Sequence, residues 1–311
     1  MFKNIIVTGS VAYDFVFDIK DPFSKYIQPD KIHQINISIV TDSHAKSFGG
    51  TAGNYAFYLS RLGIKPILYS AVGNDFADYK NFLNKNKIET KFLKFYKNLP
   101  TASGFVMTDI HDNQIWMYSK GAMQKNIGLK LKPVAEKFLK PIIVISPNEL
   151  RAINNYVREC VENNYDFTYD PAFFIPHLDS KSLGLGIQNA RVIFGNDYEI
   201  AFIEKKLGKS IEKLVKERQI VVKTLGELGS EILYNHNKIK IGIYKCKTID
   251  PTGAGDAYRA GFLYGYLDNQ PLKMCGWMGA VVASFAVEVK GTMNLKFNKK
   301  EFEKRLNKIS N

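Results

Sequence analysis

The sequence predicts an α/β fold with a mostly parallel central sheet. Apolar runs typical of buried strands, such as 142–146 and 192–195, recur along the chain and are separated by stretches with helical periodicity, such as 150–163. Strands that alternate with helices form βαβ units, in which the strands run parallel. A chain of 311 residues can build one large domain or two modest ones. Because we find no repeat and no low-complexity linker, we expect one domain over 1–311.

The composition is that of a globular protein with a strong basic bias. The net charge of +13 is typical of proteins that bind nucleic acid or a membrane surface. The lysines are scattered, however, and no nucleic-acid motif accompanies them, so we expect neither partner. Three cysteines lie far apart, and no apolar stretch approaches the roughly eighteen residues of a membrane span. These features predict a cytoplasmic protein without a disulfide framework or a zinc site.

The first strand, predicted over 2–10, is followed closely by Asp14. In an open α/β sheet, ligands bind beyond the carboxyl ends of the strands. A carboxylate at this edge can accept hydrogen bonds from two neighbouring hydroxyl groups. An aspartate that merely stabilises a turn is the alternative, and the residues alone leave both interpretations open.

A glycine pair, Gly49 and Gly50, precedes a helix that carries Asn54 in its first turn. Such a pair lets the backbone approach a ligand without interference from Cβ atoms. A plain helix start with an asparagine near its cap would have the same pattern. We expect a further strand of the main sheet at 67–72.

Two segments outside this pattern have the alternation of short strands. Residues 31–41 alternate apolar and polar side chains around Ile35, Ile37 and Ile39, and residues 101–119 do so around a turn at 111–113. We expect antiparallel strands here, outside the main sheet. They would serve either as a cover over a ligand site or as an extension for contacts between subunits.

Two later strands run into polar or glycine-rich motifs. The strand at 192–195 leads to Asn196 and Glu199, and this amide and carboxylate, one helical turn apart, suit a hydrated Mg²⁺. The same spacing is also that of a capping box at a helix start. The strand that begins at Ile220 leads into a glycine turn with Gly226 and Gly229, which a β-hairpin would also explain.

The segment 250–262, D-P-T-G-A-G-D-A-Y-R-A-G-F, carries the strongest chemical signal. We expect a strand before it at 239–249 and a helix after it at 257–267. Unpaired amides and the helix dipole at such a turn bind anions. The helix terminus favours an ionised Asp256, which could then take a proton from a hydroxyl while charge builds on a phosphoryl group. Asp250 or Asp256 acting only as a helix cap is the alternative.

Other phosphate-binding motifs do not fit. Tyr258 occupies the place of the third glycine in a dinucleotide fingerprint, and the sequence contains no G-x-x-x-x-G-K-[ST].

Two helices are expected after this segment. Small residues in a helix over 271–289 would let a backbone or a flat ring approach closely. Residues 299–311 predict a short surface helix.

Together these motifs resemble the PfkB/ribokinase family of carbohydrate and nucleoside kinases over essentially the whole chain. The D-P-T-G-A-G-D-A-Y-R-A-G form, with Pro251 and Arg259, is most similar to the bacterial and archaeal adenosine (nucleoside) kinase branch. The resemblance implies a ribokinase-like three-layer α/β/α fold with a small β-lid drawn from about 12–48 and 101–120. One departure is Phe173, which stands where nucleoside-kinase relatives often carry a glutamine.

The resemblance also implies an activity. It indicates Mg²⁺-dependent transfer of the γ-phosphoryl of ATP to the 5′-hydroxyl of a nucleoside, with adenosine as the expected acceptor. A free sugar or sugar phosphate is the alternative acceptor, and a non-catalytic, basic nucleic-acid-binding or interaction protein is the remote alternative. Because some members pair through the lid, a homodimer is expected. The implied site residues are Asp256 as the catalytic base with the amides of Gly253, Ala254 and Gly255; Asn196, Thr224, Gly226, Gly229, Gly253 and Gly255 for ATP; Asp14, Gly49, Gly50 and Asn54 for the substrate; and Asn196 and Glu199 for the metal.

Overall fold

The computed structural model describes residues 4–27, 29–34, 36–41, 44–111 and 113–309. Within these residues the strands form three sheets. In chain order the strands are β1 (Ile5–Thr8), β2 (Ala12–Asp18), β3 (His44–Gly49), β4 (Ile67–Tyr69), β5 (Ala71–Val72), β6 (Lys94–Phe95), β7 (Ala102–Thr108), β8 (Gln114–Ser119), β9 (Ile142–Ile145), β10 (Asp166–Tyr169), β11 (Val192–Asn196), β12 (Ile220–Thr224), β13 (Ser230–Tyr234) and β14 (Asn237–Ile241).

The main sheet has the order β14-β13-β12-β11-β10-β9-β1-β4 in the described part of the chain. The strands from β12 to β4 pair in parallel, and β13 and β14 add an antiparallel edge. The predicted mostly parallel sheet is therefore confirmed. Parallel pairing brings the carboxyl ends of these strands to one edge, which is where ligands bind in open α/β sheets.

Helices cover both faces of the main sheet, which gives three layers. Ile5 and Val7 of β1 belong to one apolar core with side chains of the helices that begin at Thr51, Ala254 and Leu272. Ile6 belongs to a second core with side chains of the helices over 150–162, 180–189 and 197–207. This division follows from the alternation of side chains along a strand. The helices are α1 (Thr51–Arg61), α2 (Ala77–Lys85), α3 (Lys132–Ala135), α4 (Leu150–Glu162), α5 (Ser180–Asn189), α6 (Asp197–Leu207), α7 (Ile211–Leu214), α8 (Ala254–Leu267), α9 (Leu272–Ala286) and α10 (Lys299–Asn307).

A second sheet, in the order β3-β2-β7-β8, stands apart from the main sheet. We call it the lid sheet. The prediction of a strand at 31–41 is wrong for the residues that are described. Pro29–Gln34 form a 3-10 helix, and 36–41 are irregular, whereas Ile35 lies outside the described residues. None of the described strands pairs with 36–41, and Ile37, on the apolar side of the expected alternation, is 36% exposed. The pairing strand is instead β3, which lies against β2. A single domain over 1–311, with its lid from 12–48 and 101–120, stays a prediction.

The strand expected at 239–249 is also shorter than predicted. β14 ends at Ile241, and residues 242–253 follow an irregular path to α8. The amides of Ile249 and Asp250 donate to the carbonyl of Val287 just after α9, so this segment is held by that helix end and not by the sheet. The glycine turn before α8 therefore does not follow a strand directly.

The structure also bears on membrane and redox chemistry. In the residues that are described, no helix has both the length and the apolar character required to cross a membrane. Cys160, Cys246 and Cys275 are free thiols.

Candidate active site

The glycine turn opens α8 as an anion-binding helix start. Gly253 is the N-cap residue in the left-handed region, with φ of 79°, and a Cβ there would lie 2.7 Å from a side-chain carbon of Thr292. Within the described residues no side chain accepts a hydrogen bond from the start of α8, so the first-turn amides of Gly255 and Asp256 are open to a ligand. The amide of Ala254, expected to help hold an anion, donates instead to the carbonyl of Pro251.

Asp250 holds this turn in place and does not cap the helix. Its Oδ1 accepts from the amide of Thr252 at 2.8 Å, and its Oδ2 accepts from the amide of Gly291 at 2.8 Å. It therefore joins the turn before α8 to the turn that follows α9.

Asp256 lies in the first turn of α8 with 17% of its side chain exposed. Asn54 Nδ2 donates to its Oδ2 at 2.7 Å, and Arg259 Nη1 lies 3.9 Å from its Oδ1. Burial raises the pKa of Asp256; Arg259 and Asn54 offset part of this shift, and Glu199 adds to it. The pKa of Asp256 is therefore raised overall, whereas a helix terminus alone would lower it, because burial outweighs the favourable groups.

Asn54 connects the glycine pair of α1 to this carboxylate. Gly50 is the N-cap residue of α1 with φ of 82°, and a Cβ there would lie 2.6 Å from the carbonyl oxygen of Ser10. Only glycine suits this position, because the backbone has a positive φ and lies close to the Ser10 carbonyl. The amide group of Asn54 thus reaches Asp256, and its buried Oδ1 has no hydrogen-bond partner within the described residues. That oxygen is free to accept a hydrogen bond from a ligand.

Asp14 lies on β2 in a gap between two glycines. A Cβ on Gly49 would lie 1.9 Å from Asp14 Oδ2, and a Cβ on Gly104 would lie 2.8 Å from Oδ1. Burial, followed by the charge of Asp256, raises the pKa of Asp14 to about 7. Sequence reasoning found Asp14 and Gly49 but missed Gly104, for which a glycine inside a strand was the available signal.

Two aromatic residues of β8 share the face of the lid sheet on which Asp14 lies. Tyr118 is directly opposite Gly104, which in turn is opposite Asp14. The ring of Trp116 lies 3.3 Å from where a Cβ on Gly104 would be, and this side chain is 49% exposed. The lid sheet therefore presents a carboxylate and aromatic surface together.

A cavity of about 250 Å³ lies on the other side of the glycine turn. One wall is the loop after β12, another is the irregular segment 242–248, and a third is the small-residue face of α9. Four predicted ATP-site residues line it, whereas Asn196 and Gly253 are not among its lining residues. The four are Thr224, Gly226, Gly229 and Gly255, and Ala254 lies beside them.

Asn196 and Glu199 form a reciprocal capping box at the start of α6. Asn196 Oδ1 accepts from the amide of Glu199 at 2.7 Å, and Glu199 Oε2 accepts from the amide of Asn196 at 2.8 Å. This is the alternative that the spacing had left open. Across the described ranges, no group of three or more His, Cys, Asp or Glu is arranged around a metal position.

Asp170 and Arg259 form an ion pair behind Asp256. Arg259 Nε lies 3.0 Å from Asp170 Oδ2, and Tyr55 donates its hydroxyl hydrogen to the same oxygen at 3.1 Å. Phe173, the residue noted as a departure, is 57% exposed and packs against Phe174, with ring centroids 4.4 Å apart. No local sequence pattern predicts this ion pair, because Asp170 follows β10 and Arg259 lies in α8.

Comparisons with known proteins agree with this geometry. The model of the pfkB family carbohydrate kinases matches residues 5–299. The chain is 31% identical to a nucleoside kinase of Methanocaldococcus jannaschii over 292 residues, covering 93% of this chain and 92% of the relative. The crystal structure of M. jannaschii nucleoside kinase, described as an archaeal member of the ribokinase family, matches with a TM-score of 0.85 and 29% identity over 99% of this chain and 100% of that one.

A second solved structure is that of Burkholderia thailandensis nucleoside kinase in complex with ADP-inosine. It matches with a TM-score of 0.86 and 25% identity, covering 98% of this chain and 95% of that chain. The ribokinase-like fold expected from the motifs is thus confirmed. The chain therefore belongs to the pfkB family of carbohydrate kinases, and it is an ATP-dependent kinase that acts on an alcohol group.

Proposed function

We propose that this kinase transfers the γ-phosphoryl group of ATP to the 5′-hydroxyl of a nucleoside, with adenosine as the preferred acceptor. One observation carries the proposal: the Asp256 carboxylate lies between the polar side chains of Asn54 and Asp14, which we call the pocket side, and the cavity of about 250 Å³. Asn54 binds it at 2.7 Å on the pocket side, and Gly255, one residue before it, lines the cavity.

The pocket on the lid side suits a nucleoside. Asp14 and the free Oδ1 of Asn54 offer acceptors for the hydroxyl groups of a ribose. Trp116 and Tyr118, on the same sheet face as Asp14, offer surfaces on which a flat base can stack. The nucleoside kinases at 31% identity, and the structure of a relative with ADP-inosine, support the same acceptor class.

The cavity beyond the glycine turn suits the adenosine part of ATP. Its walls are largely apolar and include Tyr244, Ala280 and Ala283. The phosphates would extend from it toward the start of α8, where open amides and the helix dipole favour negative charge.

The chemical step follows from the position of Asp256. Asn54 holds the Asp256 carboxylate by donating to its Oδ2, and the carboxylate accepts the proton of the acceptor hydroxyl. The hydroxyl oxygen bonds to the γ-phosphorus, the bond from that phosphorus to the β–γ bridging oxygen breaks, and ADP leaves. The amides of Gly255 and Asp256 stabilise the charge that spreads over the phosphoryl oxygens.

Asn196 and Glu199 fit a Mg²⁺ ion held largely through water. Mg²⁺ keeps several of its waters and needs few protein ligands. The capping box uses Glu199 Oε2 and leaves the other carboxylate oxygen, and 15% of the side chain is exposed. When bound, the ion would neutralise part of the phosphate charge.

The proposal includes a homodimer formed through the outer face of the lid sheet, the face opposite Asp14. This face carries apolar side chains beside Lys46: the rings of Phe15 and Phe105 stack with centroids 5.1 Å apart, and Met117 is 57% exposed. Exposed apolar side chains that cluster on one face are typical of an interface. We expect Met117→Lys to convert a dimer to a monomer in sedimentation velocity; a wild type that is monomeric at all concentrations would contradict this part.

An ADP-release assay with a panel of acceptors tests the function. We expect turnover with adenosine, inosine or guanosine, and little with ribose, fructose or fructose 6-phosphate. Turnover with only the free sugars or the sugar phosphate would overturn the nucleoside assignment. Salt-sensitive binding of nucleic acid without any turnover would overturn the proposal as a whole.

A further inference from the structure

A buried arginine contacts three carboxylates at the start of α8. Arg259 Nε lies 3.0 Å from Asp170 Oδ2, Nη2 lies 3.5 Å from Glu199 Oε2, and Nη1 lies 3.9 Å from Asp256 Oδ1. Only 10% of the arginine side chain is exposed. The three partners come from the end of β10 and the starts of α6 and α8, so one guanidinium connects three elements of the site.

Gly255 makes this position of the guanidinium available. A Cβ on Gly255 would lie 2.7 Å from Arg259 Nη1, so a side chain at position 255 would displace the guanidinium from this place. Arg259 is three residues after Asp256, so both side chains lie on one face of the helix. The glycine next to Asp256 therefore serves the arginine as well as the turn.

The guanidinium lies closest to Asp170 and not to Asp256. Asp170 is fully buried, its Oδ1 has no hydrogen-bond partner in the described chain, and Tyr55 binds its Oδ2. A buried carboxylate of this kind requires a nearby cation. Asp170 therefore competes with Asp256 for the same positive charge.

We propose that Arg259 is a positioning residue for phosphoryl transfer: it fixes the Asp256 carboxylate beside the acceptor hydroxyl, and Asp170 limits how close the guanidinium comes to it. The inference depends on the proposed function, in which Asp256 is the base. Arg259 then acts through Asp256 and does not itself contact the reacting atoms.

Removing Arg259 and removing the charge of Asp170 should shift the pKa of Asp256 in opposite directions. The charged groups that interact with Asp256 are Asp14, Glu199, Asp170 and Arg259. The hydroxyl groups of Tyr55 and Tyr58 also lie near it, and burial raises the pKa of both. Without the arginine, Asp256 is left among carboxylates, so its pKa rises and activity is lost at a higher pH. Without the charge of Asp170, the guanidinium is free to approach Asp256, so that pKa falls. Because the base acts when deprotonated, the acid limb of kcat/KM moves in the same direction as this pKa.

The alternative is that Arg259 only neutralises the buried Asp170. The double variant Arg259→Met with Asp170→Asn separates the two roles, because it removes the buried charge together with its partner. It also avoids the unpaired buried carboxylate that could prevent Arg259→Met from folding. If neutralisation is the whole role, the double variant is folded and has a wild-type pH profile.

The experiment measures kcat/KM for adenosine against pH, together with thermal unfolding, in five variants. These are Arg259→Lys, Arg259→Met, Asp170→Asn, the double variant, and Arg191→Met as a matched control whose arginine pairs with Asp166 at the start of β10. We expect the acid limb to rise by about 1–3 pH units in Arg259→Met, the range for losing an opposite charge near a carboxylate. We expect a smaller rise in the double variant, because it also removes the negative charge of Asp170. We expect Arg259→Lys to recover part of the wild-type position of the acid limb. Asp170→Asn should move the acid limb to lower pH, and Arg191→Met should leave it unchanged.

Two results would overturn the inference in distinguishable ways. An active wild type and a folded double variant with the same acid limb would remove the role of Arg259 alone. A wild type that phosphorylates no nucleoside would overturn the proposed function, and this role with it.

Discussion

Adding a single methyl group at Gly49 tests whether the Asp14 carboxylate binds the nucleoside. A Cβ on Gly49 would lie 1.9 Å from Asp14 Oδ2 and 2.8 Å from its Cγ. Contacts this short cannot be accommodated, so in Gly49→Ala the carboxylate must rotate away from its place. The backbone of Gly49 does not adopt a positive φ, so alanine is not strained for that reason.

The expected magnitude follows from the hydrogen bonds that Asp14 would lose. A hydrogen bond to a charged group is worth about 1.5–3 kcal/mol. At about 1.4 kcal/mol per factor of ten, losing one such bond lowers kcat/KM for the nucleoside about 10- to 150-fold. The effect should appear mainly in the KM for the nucleoside, and the KM for ATP should stay near the wild-type value.

Steady-state kinetics with adenosine and ATP varied in turn measures both constants. Gly128→Ala is a matched control, because a Cβ there has nothing within 4 Å and Gly128 is not a residue of positive φ. A Gly49→Ala enzyme with an unchanged nucleoside KM would refute the placement of Asp14 in the substrate site. Equal increases in both KM values would point to a general distortion instead.

Three further predictions follow from the same site. Asn54→Leu removes the 2.7 Å hydrogen bond to ionised Asp256, so we expect kcat to fall about tenfold or more and the acid limb of kcat/KM to move to higher pH; an unchanged pH profile would contradict this. Ala283→Leu places three extra carbon atoms in the 250 Å³ cavity, so the KM for ATP should rise while the KM for adenosine stays constant; the reverse pattern would place ATP elsewhere. Because the pKa of Asp14 is raised to about 7, nucleoside affinity measured by calorimetry should fall as the pH drops from 8 to 6, and Asp14→Asn should abolish that dependence; a dependence that survives in the variant would exclude Asp14 as its source.

The main sheet was predictable because its signals are local. Apolar runs such as 142–146 and 192–195 must be buried on both sides, and the helical stretches between them impose parallel pairing. The segment 31–41 misled the prediction for a related reason. Alternation indicates a strand only where a partner buries the apolar face. Within the described residues no strand pairs with 36–41, and Ile37 is 36% exposed.

The sequence pointed to the residues of the candidate site but not to the contacts between them. Asp14, Asn54 and Asp256 were identified from their positions after strands or at helix starts. The hydrogen bond between Asn54 and Asp256 joins residues 202 positions apart, so no local pattern contains it. The same is true of the burial that raises the pKa of Asp256, because the packing around a side chain is set by the whole fold.

The side chain at position 256 can be tested most directly by replacing its carboxylate with an amide of the same shape. Asp256→Asn keeps a hydrogen-bonding partner for Asn54 but cannot accept the hydroxyl proton. We expect kcat for adenosine phosphorylation to fall about 10²–10⁴-fold, with a normal unfolding transition and near-normal affinity for nucleoside and ATP by calorimetry. A variant that binds both substrates and turns over at the wild-type rate would contradict the assignment of Asp256 as the base.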